Sequence, residues 1–188
     1  VFKLWHLNQD SLTSFSKDQT LFTFYELDHP TSIEMNIARN QKKLLFSSNY
    51  AKNIFEDYGL TNCDYIPLGF DKHNFKIKEE QYLEGKIVFN LCGKLEKRKH
   101  HKIIQAWLKK YGNSKDYVLQ CAISNPFLKE DAFKSEVNQI LEGKNYFNIN
   151  FLGMMQKNSL YNDFLNSGNI CIGMSGAEGW GLPEFQSV

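Results

Sequence analysis

The sequence predicts an α/β fold with parallel sheets and flanking helices. From residue 86 onward, short apolar runs alternate with segments whose apolar residues recur at helical spacing. This alternation indicates βαβ units, because neighbouring parallel strands need helical crossovers between them. Basic or glycine-rich segments directly follow two of the predicted strands. Since ligands of such sheets bind at the carboxyl ends of strands, these segments are the first candidates for a binding site.

The second half of the chain is predicted to contain four strands, each followed by a helix. The predicted strands are Lys86–Cys92, Tyr117–Ile123, Phe147–Leu152 and Asn169–Met174. The predicted helices are His101–Tyr111, Lys129–Leu141, one that is N-capped by Asn158 or Ser159, and one that begins near Pro183. Together they predict one parallel sheet.

The first half shows the same alternation less completely. The predicted strands are Leu21–Tyr25 and Lys43–Phe46, and the predicted helices are Pro30–Arg39 and Asn49–Tyr58. The stretch Asp64–Gly85 contains proline, glycine and a run of charges, which is typical of a connection between domains.

The overall composition is that of an ordinary globular protein. The 188 residues are 42% hydrophobic and 23% charged, which excludes a wholly disordered chain. A formal net charge of +1 argues against a dedicated nucleic-acid binder, for which a strongly basic domain is expected. No apolar run approaches the roughly 18–20 residues of a membrane span. The first residues contain neither an initiator Met nor the apolar core of a secretory signal.

The four cysteines, Cys63, Cys92, Cys121 and Cys171, form no CxxC pair. The last three each lie within a short apolar run. This pattern favours buried small hydrophobic residues in a reducing compartment over disulfides or a metal site.

The first segment whose side chains could bind a ligand runs from Gly93 to Lys102 and follows a predicted strand. Between Lys94 and Lys102 it holds five Lys or Arg, two His and one Glu. Such side chains beside helix N-terminal amides would hold an anion, most simply a diphosphate. A solvated basic turn and a nucleic-acid contact are the alternatives. His100 and His101 make a poor metal chelate, because adjacent helical residues point about 100° apart.

The second segment, Ser175–Pro183, also follows a predicted strand and opens a helix. Its glycines let the backbone approach a ligand closely, and free amides at a helix start favour phosphate. Glu178 is better suited to accept hydrogen bonds from sugar hydroxyls than to lie beside a phosphate. The alternative is a tight turn with an exposed Glu.

Together with a third segment, these two resemble the pattern of glycosyltransferase family 4 (glycosyl transferases group 1) of the GT-B fold. The three read IPLGFD from Ile66, GKLEKRKH from Gly93 and MSGAEGWGLPEFQS from Met174. They stand in the family's order, and Lys94 and Lys99 are five apart, as its basic pair is. The stretches Asn49–Leu60 and Asn148–Phe164 are also similar to segments of that family.

The resemblance implies two Rossmann-like domains, of which this chain is the central part. Residues 1–65 would be the last part of an N-terminal, acceptor-side domain, and residues 66–85 the interdomain connection. Residues 86–188 would be a nucleotide-sugar-binding domain that is incomplete at its C-terminus. With both ends of the parent enzyme absent, the chain alone is expected to be inactive.

The resemblance further implies a retaining, metal-independent transferase that uses a nucleoside diphosphate sugar as co-substrate and needs no cofactor. Lys94 and Lys99 would neutralise the departing diphosphate, and Glu178 would accept from the donor sugar; these three are the catalytic candidates. The donor-binding candidates are Gly93, Arg98, Met155, Ser175, Gly179, Trp180, Gly181, Leu182 and Gln186. Among these, the Trp180, Gly181 and Leu182 amides would face the phosphates, and Met155 lies in the loop that lines the base.

The chain departs from the family pattern at several positions. Gln186 occupies the place of the second Glu of the paired-glutamate motif, so the ribose-binding carboxylate is an amide here. Glu184 is near but out of register. Lys94 replaces an Arg, which removes the bidentate fork, and Met174 replaces a Pro.

The expected partner is a nucleotide-sugar donor, with a glycan, lipid or protein as acceptor and no nucleic acid. The expected location is the cytoplasm, with any membrane association supplied by regions outside the chain. Two alternatives stay open: a non-catalytic nucleotide- or sugar-binding module of the same fold, and a GT-B enzyme of phosphorylase-like or epimerase-like type.

Overall fold

The structure is a computed structural model that describes residues 1–13, 16–79, 82–96, 99, 101–173, 175 and 179–187. The chain forms two compact units. Unit 1 comprises Val1–Gly69 and Ala177–Trp180, and unit 2 comprises Phe70–Gly176 and Gly181–Val188. Among the described residues, none of the helices is long and apolar enough to span a membrane.

Unit 1 is built on a parallel sheet with the strand order β1-β2-β3-β4. Its strands are β1 (Phe2–Leu4), β2 (Thr20–Thr23), β3 (Lys43–Phe46) and β4 (Cys63–Tyr65). Its helices are a short 3-10 helix (Gln9–Leu12), α1 (Ser32–Arg39) and α2 (Asn49–Asp57). The sheet therefore confirms the predicted parallel architecture of the first half.

Local sequence explains why the two α-helices of unit 1 begin where they do. Thr31 and Glu34 form a reciprocal capping box at the start of α1, and the Ser48 side chain accepts from the Ala51 amide at the start of α2. Each cap satisfies backbone N–H groups that a first helical turn leaves without partners. The buried faces of the helices then pack against the sheet around Phe46.

Unit 2 has four strands and four helices within the described residues. The strands are β5 (Ile87–Lys94), β6 (Tyr117–Ser124), β7 (Ile149–Leu152) and β8 (Ile170–Ile172). The helices are α3 (Lys102–Tyr111), α4 (Glu130–Ile140), α5 (Asn158–Asn166) and α6 (Leu182–Gln186). This order confirms the strand–helix alternation read from the sequence.

The strand order of unit 2 determines where a ligand can bind. All pairs are parallel in the order β7-β6-β5-β8, so the chain steps outward from β5 to β7 and then returns to β5's other side. The reversal makes a topological switch point between β5 and β8. In open parallel sheets, the crevice at the carboxyl ends beside such a point is the usual ligand site.

The core of unit 2 lies between this sheet and helices α3 and α4. Ile104, Leu119 and Ile140 are fully buried there. At the amino end of β5, the Phe89 ring packs against Trp107 and Tyr111 with ring centroids 5.9 and 5.6 Å apart. The aromatic residues that the sequence places at helical spacing therefore form core contacts rather than a ligand site.

Buried amides join the sheet of unit 2 to helix α5. Asn90, only 1% exposed in the middle of β5, donates from Nδ2 to the Phe164 carbonyl oxygen at 2.6 Å. Its Oδ1 accepts from Gln120 Nε2 at 3.2 Å, and Gln120 also donates to Ser167 Oγ at 2.8 Å. These bonds satisfy carbonyls that the last turn of a helix leaves open. They hold the start of β8 beside β5.

Several sequence-based expectations need correction. Strands β1 and β4 were not predicted, because each has three residues and neither shows a buried apolar run. Asp64 and Tyr65 therefore belong to a strand rather than to a connection. The N-cap of α5 is Lys157, since Asn158 already has helical geometry. The strand predicted at Lys86–Cys92 begins at Ile87 and extends further than predicted, to include Gly93 and Lys94.

The segment after Gly69 is packed rather than free. The Lys76 and Lys78 amides donate to Asn162 Oδ1 at 2.9 Å and Asn166 Oδ1 at 2.6 Å on α5. The Phe75 ring meets Tyr161 edge-on at 5.9 Å. Part of the stretch predicted as a connection is therefore a surface layer of unit 2.

We expect Asn90→Ala to lower the free energy of unfolding by about 1–3 kcal/mol, because it leaves buried hydrogen-bonding groups without a partner. Urea denaturation followed by circular dichroism measures the change. Asn138→Ala, on the exposed face of α4, is the matched control and should stay within about 0.5 kcal/mol of the original protein. Equal effects of both substitutions would contradict the role assigned to Asn90.

Candidate functional site at the carboxyl edge of the second sheet

Two candidate residues of unit 2, Lys94 and Ser175, lie at the carboxyl ends of β5 and β8. Lys94 pairs with Ser124 across β5 and β6, and Ala122 pairs with Leu152 across β6 and β7. The loops that leave β5, β6 and β7 therefore start from one edge of the sheet. Ser175 follows β8 at the same edge. One residue of each sequence segment thus lies at a single edge of the sheet.

Lys94 is the last residue of β5 and lies between a carboxylate and a ring. Its Nζ is 3.1 Å from Glu96 Oε1 and 4.5 Å from the centroid of the Phe127 ring. The Lys94 side chain is 39% exposed, so a ligand can still approach the ammonium. Gly93, one position earlier, pairs with Ile123 and is therefore part of the ladder.

Lys99 is half-buried, and its backbone N–H donates to the Glu96 carbonyl oxygen at 3.0 Å. Arg98, a predicted donor-binding residue, lies outside the described residues. The segment between β5 and α3 nevertheless begins at the carboxyl end of β5. This end lies beside the switch point, where ligands of such sheets usually bind.

The loops after β6 and β7 add apolar groups to this edge. Phe127 and Met154 are exposed, and the predicted donor-binding residue Met155 is half-buried. Phe127 belongs to a turn in which its N–H donates to Asn125 Oδ1 at 3.0 Å. The edge therefore offers an apolar surface beside the basic one.

The segment after β8 leads into α6. Ser175 is half-buried, and Gly181 is the N-cap of α6 with φ 76° and ψ 51°. This left-handed backbone suits glycine, since a Cβ would strain it. Leu182 is exposed at the first helical position, and Pro183 lies in the first turn as predicted. Glu178, the third catalytic candidate, lies outside the described residues.

Glu184 ties the first turn of α6 to the end of β8. A Cβ on Gly173 would overlap the Glu184 side chain, so glycine is required for this close approach. Glu184 Oε2 is buried, and no described residue donates a hydrogen bond to it. Sequence analysis placed Glu184 near the site but out of register with the paired-glutamate motif. In the structure its carboxylate nevertheless faces the carboxyl end of β8.

Gly179 and Trp180 belong to unit 1. The Ser47 hydroxyl, fully buried after β3, donates to the Gly179 carbonyl oxygen at 2.7 Å. Gly179 is buried and Trp180 half-buried. Sequence analysis gave Ser47 no role, because a serine after a strand carries no pattern of its own.

Gln186 is the last residue of α6 and lines a groove of unit 2. The groove has a volume of about 620 Å³, and its other walls are the segment Phe70–Lys78 and the carboxyl half of α5. Lys72 and Lys76 are among the lining residues. The predicted contact of Gln186 with a ribose stays a prediction.

Two thiols lie beneath the β8 end of the site. Cys92 Sγ is 3.5 Å from the Tyr161 hydroxyl, and Ser187 Oγ donates to Cys171 Sγ at 3.2 Å. Hydrogen bonds from the Cys92 thiol and from Ser187 lower the pKa of Cys171, while the hydrogen bond with Cys171 and, after it, burial raise the pKa of Cys92. All four cysteines are free thiols, and Cys121 is buried as predicted. Cys92 and Cys171, which were also predicted to be buried, are half-buried.

The edge carries the Lys94 ammonium, which is paired with Glu96, and the exposed apolar residues Phe127 and Met154. In the described part of the chain, no group of three or more His, Cys, Asp or Glu side chains could hold a metal ion. His101 and Glu136 form a separate pair, with 2.8 Å between Nε2 and Oε1, that joins α3 to α4.

Solved structures share this fold. TarM of S. aureus superposes with a TM-score of 0.67 at 13% identity, covering 94% of this chain and 36% of TarM. Sucrose-phosphate synthase from Thermosynechococcus elongatus gives 0.73 at 14%, covering 90% and 47%. HepE from Anabaena, in complex with UDP and glucose, gives 0.72 at 15%, covering 90% and 50%.

These likenesses show the fold: two parallel-sheet units with flanking helices, of the Rossmann-like GT-B type. The chain spans between about a third and a half of the length of these structures. No protein-family model and no curated protein sequence matches it. The predicted fold class is therefore confirmed at the level of GT-B architecture.

We expect Glu96→Gln to tighten diphosphate binding by up to about fivefold, because it frees Lys94 from a partner worth about 0.2–1 kcal/mol. Isothermal titration with inorganic pyrophosphate measures the change. Glu130→Gln is the matched control, since Glu130 pairs with Lys134 on α4 and should leave the affinity unchanged. Weaker binding after Glu96→Gln would mean that Glu96 positions Lys94 instead of competing for it.

Proposed function

We propose that this chain is the donor-binding part of a glycosyltransferase that moves a sugar from a nucleoside diphosphate sugar to an acceptor. The observation that carries the proposal is the position of Lys94. This cation ends β5 at the switch point of a parallel sheet, where ligands of such folds bind. The GT-B architecture and the UDP held by HepE support a nucleotide as the anion.

The proposed chemistry follows from where charge develops. As the anomeric C–O bond breaks, positive charge grows on the sugar ring and negative charge on the diphosphate. Lys94 and Lys99, with the amides of Gly181 and Leu182, would stabilise the diphosphate as it departs. Preorganised donors accelerate a reaction when they act where charge appears in the transition state.

The finer assignments also belong to the proposal. The resemblance to glycosyltransferase family 4 favours retention, with the acceptor attacking the same face and the leaving phosphate helping to remove its proton. Glu178 would accept hydrogen bonds from the donor sugar. Lys94 and Lys99 would neutralise the diphosphate without a metal ion or another cofactor. The location would be cytoplasmic.

A non-catalytic nucleotide-binding module is the second candidate, and Gln186 is the observation that favours it. An amide where the motif carries a carboxylate weakens the hold on a ribose, because an ionised oxygen accepts stronger hydrogen bonds. Such a module would bind the nucleotide without transferring its sugar.

The first test is a binding panel. UDP, GDP, ADP and their glucose derivatives are titrated into the protein and followed by calorimetry and thermal shift. We expect one nucleoside diphosphate to bind and to raise the melting temperature. If pyrophosphate and all the nucleotides fail to bind, the proposal is wrong. Binding without donor hydrolysis or transfer by the parent enzyme would favour the non-catalytic module.

Lys99→Ala tests the basic turn. A hydrogen bond to a charged group contributes about 1.5–3 kcal/mol, so we expect nucleoside diphosphate binding to weaken about tenfold or more. The melting temperature of the free protein should change little. Lys109→Ala, on the exposed last turn of α3, is the control. Equal affinity of Lys99→Ala and the original protein would place Lys99 outside the phosphate site.

Gln186→Glu tests the ribose assignment. A carboxylate accepts both ribose hydroxyls, so we expect ribonucleotide binding to tighten by about 1 kcal/mol, and deoxyribonucleotide binding to tighten less. Glu184→Gln is the companion variant, because Glu184 carries a buried oxygen near β8. If Glu184→Gln weakens binding while Gln186→Glu changes nothing, the ribose acceptor is Glu184.

A further inference from the structure

Phe127 is an exposed aromatic residue at the one edge of unit 2 where a ligand is expected. The residue is 81% exposed and lies three positions after the end of β6. A single exposed apolar residue needs no explanation on its own. Three features of its surroundings distinguish Phe127 from the other exposed rings of the chain.

The first feature is that its backbone is fixed. Asn125 accepts from the Phe127 N–H at 3.0 Å, and its Nδ2 donates to the Leu95 carbonyl oxygen at 3.0 Å. The Leu95 N–H donates in turn to the Ser124 carbonyl oxygen at 2.8 Å. The turn that contains Phe127 is therefore hydrogen-bonded to Leu95, the residue that follows Lys94 at the end of β5.

The second feature is the position of a cation. Lys94 Nζ lies 4.5 Å from the centroid of the ring, and a cation at this distance is attracted by the ring's face. An anion bound by Lys94 would thus be placed within a few ångströms of the ring. A ligand that fills both positions must join an anionic group to a flat apolar one.

The third feature is a second exposed apolar residue, which follows the neighbouring strand. Met154 follows β7, which pairs with β6, and its side chain is 68% exposed. Two exposed apolar side chains thus leave adjacent strands on the edge that also carries Lys94. Flexible methionines and rigid aromatic rings both suit a flat ligand surface.

We propose that Phe127 is the stacking platform for the base of the nucleoside diphosphate whose phosphates Lys94 binds. The inference rests on the proposed function and adds a contact that the sequence motifs do not contain. The base is the one large flat surface of such a ligand, and its stacking on an aromatic ring tolerates different bases. Phe127 therefore sets affinity for the nucleoside part, while base selection comes from other groups.

The experiment compares Phe127→Ala with Phe127→Tyr in the whole chain. Each protein is titrated with UDP, GDP and ADP, and separately with inorganic pyrophosphate, which has no base. Phe147→Ala is the matched control, because Phe147 is 65% exposed but lies before β7, at the opposite edge of the sheet.

We expect Phe127→Ala to weaken binding of the preferred nucleotide between about fivefold and 150-fold, the range found when an aromatic residue beneath a base becomes alanine. Pyrophosphate affinity should stay within about twofold, and Phe127→Tyr and Phe147→Ala should bind the nucleotide as the original protein does. An equal loss for pyrophosphate and nucleotide would overturn the proposal, because the ring would then act only through Lys94. An unchanged nucleotide affinity would overturn it as well.

A second readout reports stacking directly. Phe127→Trp places an indole at the position, and its emission should be quenched on addition of the nucleotide but not of pyrophosphate, compared with Phe147→Trp. No quenching, with the nucleotide bound, contradicts the proposal. If the original protein binds neither nucleotide nor pyrophosphate, the proposed function itself fails and this inference with it. If the original protein binds and Phe127→Ala binds equally well, only this inference fails.

Discussion

The pairing of β5 with both of its neighbours is the constraint on which the rest of unit 2 depends. Eight residues of β5 pair with β6, and three of them also pair with β8. Because side chains alternate between the faces of a strand, a slip by one residue would turn buried Val88 outward and Asn90 away from α5. The same slip would move Lys94 off the carboxyl edge. Core packing and ligand binding are thus fixed by one register.

The sequence allowed the central elements to be predicted because their signals are local. Lys43–Phe46 was predicted as a strand with the bounds that the structure shows, since a short apolar run suits a strand buried on both faces. β1 and β4 escaped prediction, because each has only three residues and a partly exposed edge position gives no alternation. These two strands form because they pair with β2 and β3, and the sequence of three residues does not indicate such pairing.

The candidate site was predictable where a motif fixes the backbone, and not where tertiary contacts orient a side chain. The sequence placed Lys94 within two residues of a strand end and Gly181 directly before a helix, although the strand extends to Lys94 itself. The rotation of α6, which turns Glu184 toward Gly173 and Gln186 toward a groove, depends on packing against β8. Phe127 was missed because an exposed ring in a turn shows neither helical nor strand periodicity.

The Lys94–Glu96 pair has a consequence for how binding responds to salt. The attraction between a free lysine and a phosphate weakens as ionic strength rises, because dissolved ions screen both charges. Lys94 instead has a counterion that is part of the chain. When a phosphate replaces Glu96, one ion pair is exchanged for another, and screening weakens both. The logarithm of affinity should therefore fall with the logarithm of salt concentration less steeply than the number of cations at the edge would suggest.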